Sequence, residues 1–76
     1  MTREERILEE LNKAEQKLKA RLNEGNEARI NEAVANINGM KRMLKLLGYE
    51  VIEDTAKAEN VNDMWVFTYK AIEDRR

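Results

Sequence analysis

The chain has 76 residues, 14 of them Lys or Arg and 15 Asp or Glu, giving a net charge of −1, and it contains neither Cys nor His. Those numbers exclude a disulfide framework, thiolate or imidazole metal centres and Cys- or His-based nucleophiles, and they leave no strong net field to attract nucleic acid or an anionic membrane. A chain this short rarely gains more than roughly 3–5 kcal/mol from its own core, so without a staple the composition predicts that self-association completes the fold.

In chain order, Thr2 followed three residues later by Glu5 has the form of a capping box and opens a helix over 3–24. Ile7, Leu11, Ala14, Leu18 and Leu22 recur at spacings of four and three, a narrow contact seam. Six acids and six bases fill the rest of this stretch. Pairs such as Glu9–Lys13 and Glu15–Lys19 stand at i,i+4 with the acid first, and all these charges, Glu15 included, read as a solvated face.

Asn23-Glu-Gly-Asn26 interrupts the pattern. Gly25 suits the left-handed position after a helix and Asn26 the cap of the next, so helices 3–24 and 27–47 are expected to fold back antiparallel. The rival is a single helix running through Gly25, at a cost of about 1 kcal/mol. The hairpin brings Ile7 towards Leu44, Leu11 towards Met40, Ala14 towards Ile37, Leu18 towards Ala33 and Leu22 towards Ile30. The stretch Ala28–Leu47 carries so wide an apolar arc (Ile30, Ala33, Val34, Ile37, Met40, Met43, Leu44, Leu47) that it is expected to be the organising element, covered from two directions.

After Gly48 the composition turns β-branched and aromatic, predicting strands 49–57 and 63–71. Pairing about Asn60 sets Glu50 against Lys70, Val51 against Tyr69, Glu53 against Phe67 and Lys57 against Asp63, with the turn within 58–62 and a frayed tail over 73–76. Trp65, Phe67, Tyr69 and Ala71 share one side of the second strand and are assigned inward. The other side, with Ile52, Val66 and Met64, is then too apolar for water. The expected fold is α+β: a two-helix hairpin and a two-stranded antiparallel β-hairpin (ααββ) in a single domain, 1–76, completed by oligomerisation. Residues 1–48 carry +2 and residues 49–76 carry −3. No apolar run reaches the length of a membrane span, and the first residues lack the apolar core of a signal peptide, so a soluble cytoplasmic protein is expected.

Candidate chemistry is sparse. Acid–base work would fall to carboxylates, Lys or Tyr, and the three glycines stand too far apart for a phosphate loop. Glu50, Glu53 and Asp54 cluster without the spacing of a calcium loop and read as strand-end acids. No cofactor and no metal are expected, and an enzyme is the least favoured class. Asn36 falls between Ala33, Met40 and Met43 on the helical arc, either as a pocket hydrogen-bonding group or as a buried amide that fixes register. Asn38, Lys41, Arg42 and Lys45 form a small basic patch that suits a phosphate or an acidic partner, or simply complements a helix end. Trp65 and Tyr69, with Tyr49, are candidate stacking surfaces for a base, against the plainer alternative that they are core.

The run Ile37-Asn-Gly-Met-Lys-Arg-Met-Leu-Lys-Leu-Leu-Gly-Tyr-Glu-Val51 resembles small accessory proteins of bacteriophages and prophages, in which a charged helix is followed by a second helix ending in an "LLGYEV"-like passage into a strand. That resemblance implies no catalytic residues. It implies a homo-oligomer that binds and blocks a host defence component or, alternatively, a sponge for a small nucleotide signal. A nucleic-acid-binding regulator is a third reading, disfavoured by the balanced charge.

Overall fold

A computed structural model describes all 76 residues, Met1–Arg76. The capping box at Thr2 forms in full: its hydroxyl accepts the Glu5 N–H at 3.1 Å and the Glu5 carboxylate accepts the Thr2 N–H at 3.4 Å. Helix α1 runs from there over Arg3–Glu24 and stops where Gly25 takes φ 75°. The Asn26 side chain accepts the Arg29 N–H at 3.2 Å and starts α2, Glu27–Leu46. Each cap contributes about 1 kcal/mol. The break at Gly25 gives the helical hairpin and rules out the single continuous helix.

Helix α1, rather than Ala28–Leu47, is the element the others share. It meets α2 and three of the four strands, whereas α2 meets only α1 and the first strand. The core follows: Leu11, Ala14, Leu18 and Leu22 of α1 are buried with Ala33, Ile37 and Leu44 of α2 and with Tyr49, Val66, Tyr69 and Ile72 of the β region. The far side of the wide arc on α2 is left in water, with Met43 57%, Leu46 74% and Leu47 51% exposed.

The β region is one ribbon in two segments. Its base pairs β1 (Tyr49–Glu53) with β4 (Tyr69–Asp74), and its tip pairs β2 (Glu59–Val61) with β3 (Met64–Val66), both antiparallel. A single 3-10 turn, Thr55–Lys57, replaces the second half of the expected first strand. The Asp54 N–H donates to the Thr68 carbonyl at 2.8 Å and ties the two segments together.

The expected register is wrong. Tyr49 lies opposite Asp74, Glu50 opposite Glu73 and Val51 opposite Ile72, and at the tip Asn60 faces Trp65 and Val61 faces Met64. The cause is the turn, which sits at Asn62-Asp63 rather than within 58–62. Both residues have positive φ, 49° and 67°, the conformation that a two-residue hairpin turn needs to match strand twist. The opposed Glu50 and Glu73 are neutralised by Arg75, which reaches both carboxylates at 2.6 Å. The tail is therefore paired and not frayed. The Arg75 N–H donates to the Gly48 carbonyl at 2.8 Å, and Arg76 sits over the Tyr49 ring. Hydrogen bonds from the Arg76 side chain and backbone push the Asp74 carboxyl down to about 2.

The inward face also differs from expectation. Val66, Tyr69 and Ile72 are buried against the helices, while Trp65 is left 54% exposed. The odd spacings from Val66 to Tyr69 to Ile72 arise because the ladder breaks at Phe67-Thr68 and slips by one residue at Lys70, where Ile52 pairs with Ala71 but Glu53 with Tyr69. A bulge of this kind reverses which side chains face the core.

Candidate functional site

Two polar side chains on α1 hold the ribbon. Asn12 presents its amide edge to β4 as a neighbouring strand would, accepting the Tyr69 N–H at 2.8 Å and donating to the Tyr69 carbonyl at 3.0 Å. One turn further on, Glu15 is only 2% exposed. Its carboxylate accepts the Phe67 N–H at 3.3 Å and the Tyr69 hydroxyl at 2.5 Å. Glu15 thus belongs to the core and not to the solvated face, and the pairs Glu9–Lys13 and Glu15–Lys19 do not form. Lys13 approaches Glu10 at 3.8 Å and Lys19 meets Glu59 on the ribbon at 2.7 Å. Burial, and then the Glu15 carboxylate beside it, hold the Tyr69 hydroxyl far above its ordinary pKa, because ionising it there would put two anions together in a dry site.

Because β3 leans on α1 and not on α2, a cleft of about 260 Å³ opens between α2 and the ribbon tip. Glu15 and Leu18 form its floor, α2 contributes Val34, Ile37, Asn38 and Lys41, and Met64, Trp65 and Phe67 form the opposite wall. The Lys41 ammonium stands 5.3 Å from the centre of the Tyr69 ring and 5.7 Å from that of Phe67, with the Glu53 carboxylate 4.0 Å away. Aromatic faces and one carboxylate thus place its charge at the mouth of the cleft.

Of the eight residues singled out from the sequence, Asn38, Lys41 and Trp65 line this cleft, and Tyr69 lies behind it in contact with Glu15 and Lys41. The others are elsewhere. Arg42 and Lys45 are exposed on α2 and do not line it. Tyr49 is buried at the start of β1 under Arg76. Asn36 keeps its direction among Ala33, Met40 and Met43, but that side of α2 is open, so it is exposed and lines a separate groove between the two helices with Lys17, Arg21 and Arg29.

Glu15, Met64 and Phe67 also line the cleft, beside Leu18, Val34 and Ile37, and are not legible as site residues. For Glu15 a signal existed. At 100° per residue its direction on α1 lies between those of Leu11 and Leu8, within the apolar sector. Met64 and Phe67 gave no signal, since their positions depend on the turn and the bulge.

Every buried side-chain polar atom has a hydrogen-bond partner, Glu15 and Tyr69 being one such pair. Glu50, Glu53 and Asp54 are each met by a different cation, Arg75, Lys41 and Lys57 respectively, and no three metal-ligating side chains converge. No helix is long and apolar enough to cross a membrane. No family model matches the chain, and neither does any curated protein or solved structure. The likeness to phage accessory proteins thus rests on Ile37–Val51 alone.

Proposed function

We propose that this chain is a non-enzymatic binding protein of the phage accessory type, which neutralises a host defence factor in the cytoplasm by stoichiometric capture as a homo-oligomer. The observation that carries this reading is Trp65, 54% exposed on the wall of an apolar cleft whose far side belongs to a different element. Ordinary packing offers no reason to leave the chain's one Trp in water, and Trp is prominent among residues that dominate protein–protein affinity. The adjoining Met64 and Phe67 give the contact an adaptable apolar surround, and the Lys41 ammonium offers one charge for orientation.

Sequestration of a small nucleotide is the weaker alternative. Trp65 and Asn38 supply a stacking face and an amide for a base, but Lys41 is the sole cation lining the cleft, and Glu53 already faces it. The volume also falls below the roughly 300–1,000 Å³ of small-molecule sites. A nucleic-acid regulator is weaker still, because the net charge of −1 supplies no phosphate-binding field.

The test is co-purification of tagged wild-type chain and Trp65→Ser from the expressing bacterium, with thermal melts of both. The reading predicts a protein retained at one copy per protomer by wild type, lost by at least about 30-fold in Trp65→Ser, with nearly equal melting temperatures. If no protein is retained and a cyclic or adenine nucleotide raises the wild-type melt, the sponge takes its place.

A further inference from the structure

On the side of the helical hairpin away from the ribbon, Arg6, Ile7 and Glu10 of α1 and Met40, Met43 and Leu44 of α2 enclose a groove of about 350 Å³. Leu46 and Leu47 carry its apolar surface to the end of α2 and are, with Met43, among the most exposed large apolar side chains. Arg6 has no ion-pair partner within the chain, and Glu10 only approaches Lys13 at 3.8 Å, with both side chains more than half in water. The groove is therefore apolar along α2 and bears one unspent charge of each sign along α1.

We propose that this groove is the contact between two copies of the chain, related by a two-fold axis that crosses α2 at Met43. The inference rests on the self-association in the function proposed above and specifies its surface. A two-fold contact must be self-complementary, with residue i on j and j on i. With the axis at Met43, the two α2 helices run antiparallel. Met43 meets its own copy, Met40 meets Leu46, and Leu47 arrives over Gly39, where a Cβ would find no atom within 4 Å. Glycine there leaves a notch for the incoming side chain.

The same axis passes α1 between Arg6 and Glu10, because both share the groove with Met43. It lays Arg6 of each copy against Glu10 of the other, twice. Lys17, Arg21 and Arg29 fix where the axis cannot be. Lys17 and Arg21 lie seven and eleven residues beyond Glu10, on the same helical face, and line the next stretch of the hairpin groove with Arg29. An axis at mid-hairpin would set Met43 and Leu47 of one copy on either side of Arg29 of the other, and Lys17 and Arg21 against Leu11 and Ile7.

Sedimentation equilibrium across the micromolar range tests this on the full chain, with thermal melts as the folding control. Wild type is expected to dimerise. Met43→Glu opposes two carboxylates on the axis and should weaken the dimer by at least about 30-fold without lowering the melt of the monomer. Arg6→Glu alone should weaken it as well, and Arg6→Glu combined with Glu10→Arg should restore it. Met43→Cys, carrying the chain's sole thiol, should oxidise to a covalent dimer. A wild-type chain that stays monomeric overturns both this surface and the self-association it rests on. A dimer indifferent to Met43→Glu, or one that the charge swap does not rescue, overturns this surface and leaves self-association standing.

Discussion

At the base of the ribbon, β4 is held against α1 by polar contacts of which one is fully buried: the Asn12 amide lies across the Tyr69 backbone, and the Glu15 carboxylate accepts from the Phe67 N–H and from the enclosed Tyr69 hydroxyl. At the tip, β2 and β3 are tethered by one part-buried hydrogen bond and one exposed ion pair. The Asn62 amide donates to the Leu22 carbonyl at 2.7 Å, and Lys19 meets Glu59 at 2.7 Å. Both segments are short antiparallel ladders beside the same helix, yet their anchors differ in what it costs to remove them. A buried acceptor withdrawn leaves its donors unsatisfied at about 1–3 kcal/mol each, whereas an exposed ion pair is worth about 0–1 kcal/mol. The base is thus where the fold is enforced. The tip carries the exposed Trp65 and the cleft, and it can be altered with little penalty to the rest.

The sharpest way to break that contrast is Glu15→Ala. Two donors lose their acceptor, so chemical denaturation should show a loss of about 3 kcal/mol or more, a large part of the stability of a chain this small. Tyr69→Phe removes only one of the two bonds and should cost about 1.5 kcal/mol. It also isolates a pH signature. The folded pKa of Tyr69 is raised, so the hydroxyl's contribution is intact below the unfolded value near 10 and is lost as pH climbs above it. Wild-type stability should fall above about pH 10 by up to about 1.4 kcal/mol per pH unit more steeply than that of Tyr69→Phe. Equal slopes in the two proteins would mean that burial and the Glu15 carboxylate do not hold the Tyr69 hydroxyl protonated.

The same contrast explains how much of the molecule could be read from its residues. Thr2 with Glu5, Gly25 and Asn26 are local signals whose meaning does not depend on distant contacts, and the helical hairpin follows from them. The ribbon was legible as two antiparallel stretches and no further. Asn62-Asp63 is a weaker turn signal than the stretch 58–62 with its two Asn residues, and a shift of the turn moves every pair. The ladder break at Phe67-Thr68 exchanges Trp65 for Val66 on the inner face, and the slip at Lys70 exchanges Ala71 for Ile72, so strict alternation along 63–71 mistakes both pairs. Of the cleft, Asn38, Lys41 and Trp65 stand out in the sequence for their chemistry. Arg42, Lys45, Tyr49 and Asn36 stand out on the same grounds and lie elsewhere, because proximity in a basic patch on one helix says nothing about which side the ribbon will cover. Glu15 was hidden in a different way. Its sequence neighbours are charges, and only its direction on the helix sets it apart.

A middle-sized effect is expected at the junction of the tip and α1. Asn62 both takes a positive φ of 49° and satisfies the Leu22 carbonyl at the end of α1. Asn62→Ala loses a side chain suited to that backbone and a hydrogen bond, at about 1–2 kcal/mol together. Native-state hydrogen exchange should place the loss in β2, β3 and the last turn of α1, with the amides of β4 protected as before. Exchange that rises equally in β4 would show the ribbon to be a single cooperative unit and would erase the distinction between its ends.

The smallest effect has the opposite sign. Asp63 occupies the second turn position at φ 67°, where an L-residue is strained and glycine is not. It has no ion-pair partner among the neighbouring cations, so replacing it removes no contact of consequence. Asp63→Gly converts the turn to Asn-Gly, the pair that two-residue hairpin turns prefer, and should raise stability by about 0.5 kcal/mol or slightly more. The gain is limited because glycine also widens the unfolded ensemble. Since the tip is only lightly coupled to the base, that gain should slow exchange of the β2 and β3 amides more than it raises the global melting temperature.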